Sequence, residues 1–236
     1  MMQRQFGLIG YPLSHSFSKK YFTEKFEKEG LKGFSYELFP IEHASSMPSL
    51  FDEHPNLEGL NVTIPHKEKV IDFLDSLDSS AMKIGAVNVI KKVNSQLIGY
   101  NSDYYGFKHS LVSFLGETKP EKALILGTGG ASKAVMVALN DLGIEAQMVS
   151  RTAQKDMITY QDLKTIDFSA FKLIVNCSPL GTFPKIEECP EIPYHRLDDT
   201  FFLYDLVYNP SQTTFMKKGE EHGAKTINGY EMLVGQ

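Results

Sequence analysis

Cysteine is scarce: only Cys177 and Cys189 occur in 236 residues, too few to build a disulfide framework in a chain of this size. Long apolar runs are lacking as well, and no stretch approaches the length of a membrane span. The start, MMQRQFGLIGYPLSHS, has no extended apolar core of the kind a signal peptide carries. Positive charge is not in excess. The net charge of −5 leaves no global basic field to recruit nucleic acid or an anionic membrane, so an anionic ligand needs a locally donor-rich pocket. The histidines and cysteines fall at no metal-ligand spacing, and no Ser-His-Asp arrangement suggests itself. There are no repeats, low-complexity tracts or long charge runs. These absences predict a soluble, cytoplasmic protein without metal, nucleic-acid or membrane partners, a monomer or homodimer acting on a small molecule. Apolar residues at 42% and charged residues at 22% are ordinary for a globular chain long enough to bury a real core.

The first hundred residues alternate short β-like and helical runs. FGLIG (6–10), FSYELFPI (34–41), LEGLNVTI (57–64), AVNVIKKV (86–93) and QLIGYN (96–101) read as strands, with Asn94-Ser95 as a tight connection between the last two. Between the first two, FSKKYFTEKFEKEG sets Phe17, Tyr21 and the 25–26 region at helical spacing and stops at Gly30. Pro65 is expected at the first turn of a helix through KEKVIDFL, where its missing N–H would be unpaired anyway. A second unit begins near residue 103 with a helix in YYGFKHSLVSFLG, its face formed by Phe107, Leu111, Phe114 and Leu115. KALILG (122–127), a helix from Ala131 to Leu142, EAQMVSR (145–151), FKLIVNCS (171–178) and TFFLYDLVY (200–208) follow. Strands alternating with helices imply a parallel, doubly wound sheet, and the whole reads as two α/β domains joined by a helix.

ALILGTGGASKAVMVAL is a strand, a glycine turn and a helix in immediate succession. Glycine lets the turn take positive φ and lets backbone approach a pyrophosphate, while the helix N-terminus offers that anion free N–H groups and the positive end of a dipole. Gly127 and Gly129 fill the first two fingerprint positions, and Ser132 stands where a third glycine or alanine is usual. Such a loop alone is weak evidence, since a structural turn looks the same. The next strand says more. NAD-binding folds place an acid about 20 residues past the glycines, on the ribose 2′-hydroxyl. Here Ser150, Arg151 and Thr152 stand instead, and a guanidinium suits a 2′-phosphate that a carboxylate would repel. This predicts NADP.

YPLSHSFS, NVTIPHK, GAVNV, GYNSDYYGF, GTGGASKA, VSRT, VNCSPLGTFP, DLVYNP and NGYEMLVGQ, in this order and over essentially the whole chain, resemble the shikimate dehydrogenase family. The resemblance implies an N-terminal α/β substrate domain (1–103, with 230–236 returning to it) and a Rossmann-like doubly wound dinucleotide-binding domain (104–229). It implies an oxidoreductase that reversibly reduces 3-dehydroshikimate to shikimate with NADPH, in the chorismate route to aromatic amino acids. Carried over, Lys67 and Asp103 would be catalytic. Ser16 and Ser18, with Tyr208, would bind the substrate carboxylate, and Thr63, Asn88 and Gln236 the ring hydroxyls. The cofactor would meet Gly127, Gly129, Gly130 and Ala131 in the glycine loop, Ser150, Arg151 and Thr152 after it, Cys177 and Ser178, Leu206, and Gly229.

The residue types suit the chemistry. Hydroxyls two apart on an extended segment point the same way, and oxidising a secondary alcohol needs a proton acceptor while the hydride leaves for nicotinamide. Each residue also has a plainer use: Lys67 as a solvated helix lysine, Asp103, Ser16 and Ser18 as helix caps, Thr63 and Asn88 as strand or turn residues, and Tyr208 as core. Departures from the family pattern are Ser102 and Tyr104 around Asp103, Ser150 for asparagine, and Thr182-Phe183 for Gly-Met. The family usually continues in a helix beyond Gln236. A quinate-preferring or NAD-using paralogue is the nearest rival, and a non-catalytic dinucleotide sensor the rival of another class.

Overall fold

A computed structural model describes residues 3–14 and 16–235. The chain divides into two compact units, Met1–Ser102 and Asp103–Gln236. In the first unit β1 (Arg4–Gly10), α1 (Ser18–Lys28), β2 (Phe34–Pro40), α2 (Met47–Glu53), β3 (Leu57–Val62), β4 (Ser76–Leu77), α3 (Ser79–Ile84), β5 (Val89–Val93) and β6 (Gln96–Tyr100) follow in order. They build one six-stranded sheet in the order β2-β1-β3-β5-β6-β4. β1, β2 and β3 run parallel, but β5 is antiparallel to both β3 and β6. The sheet is therefore mixed, with the expected tight connection at Asn94-Ser95 joining its antiparallel pair. Asn94 and Ser95 both take positive φ (49° and 69°), and this two-residue turn sends β6 straight back along β5.

Two local expectations in this unit are corrected. Of the expected α1 stripe, Phe17 is 45% exposed, while Tyr21 and Phe26 are half-buried. Phe22 and Phe26, four apart, pack against the sheet, with Phe22 stacked on Tyr36 at 4.4 Å and Phe26 edge-on to Phe34 at 5.5 Å. Beyond Pro65 no α-helix forms. Turns lead into a 3-10 helix, Lys69–Phe73. His66 is fully buried and its Nε2 meets the Ile41 carbonyl at 2.7 Å, which holds the segment to the end of β2.

The second unit holds α4 (Asp103–Leu115), β7 (Lys122–Leu126), α5 (Gly130–Asp141), β8 (Glu145–Ser150), β9 (Ile158–Thr159), β10 (Leu173–Asn176), β11 (Phe202–Asp205), α6 (Thr214–Glu220), β12 (Lys225–Ile227) and α7 (Tyr230–Val234). Its sheet runs β12-β11-β10-β7-β8-β9, every pair parallel. Numbered from β7, this is the order 3-2-1-4-5-6 of a dinucleotide-binding sheet, doubly wound as expected. Alternate residues of β7 feed two cores. Ala123 and Ile125 face one with Phe107, Leu111 and Tyr204, while Leu124 and Leu126 face the other with Ile174, Leu203 and Phe215. All are buried, and each large side chain adds about 1.5–3 kcal/mol of apolar burial, which explains the continuous apolar runs. Met232 of α7 joins the first of these cores, and residues 230–235 belong to the second compact unit.

Candidate active site

In the first unit the sheet's backbone draws three of the named residues together. The Thr63 N–H donates to the Ile9 carbonyl at 2.9 Å, Val62 donates to the Asn88 carbonyl at 2.8 Å, and Val87 donates to the Lys67 carbonyl at 2.7 Å. Thr63 and Lys67 are thereby tied to the ends of β1 and β3 and to the entry of β5. The Asn88 side chain is buried, its Oδ1 accepting the Ser102 N–H at 2.8 Å and its Nδ2 donating to the Ser102 hydroxyl at 3.0 Å. Lys67 is half-buried, unlike a solvated helix lysine.

Ser16 and Ser18 flank the start of α1. The Ser16 hydroxyl accepts the Ser18 N–H at 3.3 Å, but the N-cap of α1 is Phe17 and no side chain caps the helix, so neither serine serves as its cap. Ser18 reaches the Tyr36 phenol. Burial pushes that phenol up, and a hydrogen bond with Ser18 opposes the rise. Tyr36 in turn donates to Asn61 Oδ1 at 2.7 Å. Tyr36 and Asn61 were missed in the sequence, although Asn61 is two residues before Thr63 and so shares its side of the extended chain. His15 and Gln236 lie outside the described residues.

In the second unit every described cofactor candidate lies at the carboxyl ends of the strands. Gly127 follows β7 with φ +116°, and a Cβ there would stand 3.3 Å from backbone atoms of Cys177 and Ser178. Gly129 is the N-cap of α5 and supplies no side-chain cap, so the N–H groups of the first turn, at Gly130 and Ala131, are left to a ligand. β7 and β10 are the neighbours between which the strand order reverses, the place where open α/β sheets bind ligands. Ser132, at the third fingerprint position, is fully buried with the Cys177 thiol for neighbour, though its hydroxyl makes no well-formed hydrogen bond. A small residue is what that packing needs, and serine meets it.

At the end of β8, Ser150 is buried and its hydroxyl accepts the Thr152 N–H at 3.3 Å and Gln154 Nε2 at 3.2 Å. That bonding closes the turn and leaves Arg151 and Thr152 exposed. Arg151 is near enough to Tyr160 to oppose the burial that pushes this phenol up to about 12. Leu206 donates its N–H to the Asn176 carbonyl at 2.9 Å, and a Cβ on Gly229 would fall 2.2 Å from the Leu206 carbonyl oxygen, so only glycine fits. Tyr208 is half-buried, and burial raises its phenol. Asp103 is the first residue of α4 and is 2% exposed, placing its carboxylate at the positive end of that helix. Among the described residues no His, Cys, Asp and Glu cluster could hold a metal, and no helix is long and apolar enough to cross a membrane.

Residues 8–90 match the family model described as the shikimate dehydrogenase substrate binding domain. The chain is similar to the shikimate dehydrogenase (NADP(+)) of Carboxydothermus hydrogenoformans, with 38% identity over 98% of this chain and 87% of that protein. The corresponding protein of Syntrophomonas wolfei is 39% identical over 98% of this chain and 85% of its own length. Among solved structures it is similar to a shikimate dehydrogenase in complex with NADP+, with TM-score 0.86 and 31% identity, covering 99% of this chain and 86% of that one. It is also similar to shikimate 5-dehydrogenase from Thermus thermophilus in complex with NADP(H) and shikimate, with TM-score 0.82 and 30% identity over 99% and 90% of the two chains.

Proposed function

Because this chain belongs to the shikimate dehydrogenase family, we propose that it reversibly reduces 3-dehydroshikimate to shikimate with NADPH, in the cytoplasm, as a step of aromatic amino-acid biosynthesis. The observation that carries the reading is the Gly127–Ala131 turn at the switch point of a 3-2-1-4-5-6 sheet, with Arg151 where an NAD enzyme keeps an acid. The residues fit the cofactor. Gly127 keeps clear a space that a side chain would fill, and the uncapped start of α5 presents donors to a pyrophosphate. NADP(H), when bound, supplies or accepts the hydride. Arg151 and Thr152 take its 2′-phosphate, and Cys177, Ser178, Leu206 and Gly229 shape the wall beside it.

The first unit is the substrate domain and the second the cofactor domain. Ser16 and Ser18 donate to the substrate carboxylate, with Tyr208, while Thr63, Asn88 and Gln236 hold ring hydroxyls. Lys67 and Asp103 handle the alcohol proton, Lys67 stabilising charge that develops as that proton moves. The working form is a monomer or a homodimer. The test is turnover of shikimate and of quinate, each with NADP and with NAD, followed by absorbance of the reduced nicotinamide. Shikimate with NADP is expected to be fastest by a wide margin. A preference for quinate or for NAD would move the chain to a sister activity, and no turnover with any pair would leave a dinucleotide sensor.

The carboxylate site has its own test. Replacing Ser16 and Ser18 together by alanine should raise the KM for shikimate at least about tenfold, since two hydrogen bonds to a charged group are lost. The KM for NADP should stay within about twofold. Normal shikimate binding with impaired NADP binding would reverse the assignment of the two ligands to the two domains.

A further inference from the structure

Beneath the cofactor-side loops is a polar cluster to which none of these roles refers. Asp205 at the end of β11, Asn176 at the end of β10 and Thr213 at the N-cap of α6 are all fully buried. Asp205 Oδ1 accepts from Asn176 Nδ2 at 2.9 Å and from the Val207 N–H at 3.0 Å, and Oδ2 accepts the Thr213 hydroxyl at 2.6 Å. The other end of the Asn176 amide, Oδ1, accepts both the N–H of Ser178 at 3.0 Å and its hydroxyl at 2.7 Å. One carboxylate thus joins the loop after β10, the loop after β11 and the start of α6.

The chemistry sets the direction of each bond. An ionised carboxylate only accepts, so Asn176 must turn its NH2 toward Asp205 and its carbonyl toward Ser178. That orientation alone receives both Ser178 donors. A neutral acid would carry its proton on Oδ2, because Oδ1 faces the Val207 N–H as well as the Asn176 amide. Oδ1 then still accepts, but without the charge that strengthens both bonds, so the hold on the Asn176 amide, and through it on Ser178, weakens. The Ser178 nitrogen is also one of the atoms that a Cβ on Gly127 would approach at 3.3 Å, so the loop held by Asn176 is the wall against the glycine turn.

We infer that Asp205 is a positioning residue for the cofactor, its charge fixing the Asn176 amide so that the Cys177–Ser178 loop is held against the glycine turn. The inference rests on the cofactor reading above. A stabilising role would not explain the charge. Burial pushes Asp205 up to about 6, above its ordinary value of 3.8. A raised carboxyl favours the fold below the unfolded value and loses that contribution as pH rises through about 6, so at neutral pH the ionised group costs stability. Its titratable neighbours are the Cys177 thiol and the Tyr194 phenol, both raised by burial and neutral, while Lys217, Lys218 and Glu220 of α6 are exposed.

Asp205→Asn in the full chain tests this. At pH 7.5 the variant is expected to melt no lower than the wild type, to bind NADPH at least about fivefold more weakly by titration calorimetry, and to keep its KM for shikimate within about twofold. From pH 7.5 to 5.5 wild-type affinity for NADPH should fall more than the variant's. The cofactor's 2′-phosphate titrates in both proteins and cancels in that comparison. Unchanged NADPH affinity with an unchanged pH dependence would overturn the inference. A measurement on the wild type alone keeps the question answerable if the variant does not fold. Hydrogen exchange of the Ser178 amide, corrected for its intrinsic pH dependence, should lose protection below pH 6 while the amides of β10 keep theirs; constant Ser178 protection would equally overturn the idea. Failure of the wild type to bind NADPH would instead remove the cofactor reading, and Ser178 exchange would still report on the link to Asp205.

Discussion

Lys67→Ala is expected to lower kcat by at least two decades, within the range of about 10²–10⁴ typical of a general acid–base group, while KM for shikimate changes far less. The architecture makes this a clean experiment. The Lys67 backbone carbonyl receives the Val87 N–H at 2.7 Å, and alanine keeps that bond to the sheet. A retained melting curve and retained NADP binding would show that the fold survived. Asp103→Asn belongs to the same test. It keeps shape while removing a charge at the start of α4, so slower turnover and a displaced pH–rate profile are expected. A well-folded Lys67→Ala protein with near-native kcat would make Lys67 an ordinary lysine, and the proton acceptor would have to be sought elsewhere.

Arg151→Ala is expected to weaken NADP selectively. A guanidinium gripping a phosphate makes charge-assisted hydrogen bonds of ~1.5–3 kcal/mol each, so one bond corresponds to roughly 10- to 150-fold in affinity. NAD carries no 2′-phosphate and should bind as before. Arg151 is exposed, and the turn it sits in is closed by the buried Ser150 hydroxyl, so stability should not move. Calorimetric titration with each dinucleotide reads the difference. Equal loss for both cofactors would place the arginine away from the phosphate.

The parts of this protein that were legible in its sequence are those where one residue's chemistry fixes the local backbone. Gly127 and Gly129 with the apolar runs around them announced β7, the turn and α5, and paired positive-φ residues announced the β5–β6 hairpin. Where tertiary contact overrode local pattern, the reading failed. A helix is expected through KEKVIDFL, yet the segment, anchored by the buried His66 at Ile41, forms only a 3-10 helix, Lys69–Phe73. Phe17 fits the α1 stripe by spacing alone yet is exposed, and only the sheet beneath adds Phe22 to Phe26. The cofactor-side wall was legible as motifs but not as a mechanism of support. A single acid in the apolar run TFFLYDLVY was the available signal for Asp205, and its meaning depends on Asn176 and Thr213, which only the folded sheet brings to it.

The strand order of the second unit also constrains how the chain is made. β7 pairs first with β8, Ile125 beside Met148, but its other neighbour is β10, where Ile125 meets Val175. On a ribosome the central strand therefore waits for some fifty further residues before its second edge is covered, whereas all six strands of the first sheet lie within Arg4–Tyr100. Non-local parallel pairing closes slowly, and an uncovered apolar strand is a site for mispairing. The first unit is thus positioned to fold during synthesis, and the period of greatest exposure to aggregation falls while residues between β8 and β10 are still being added.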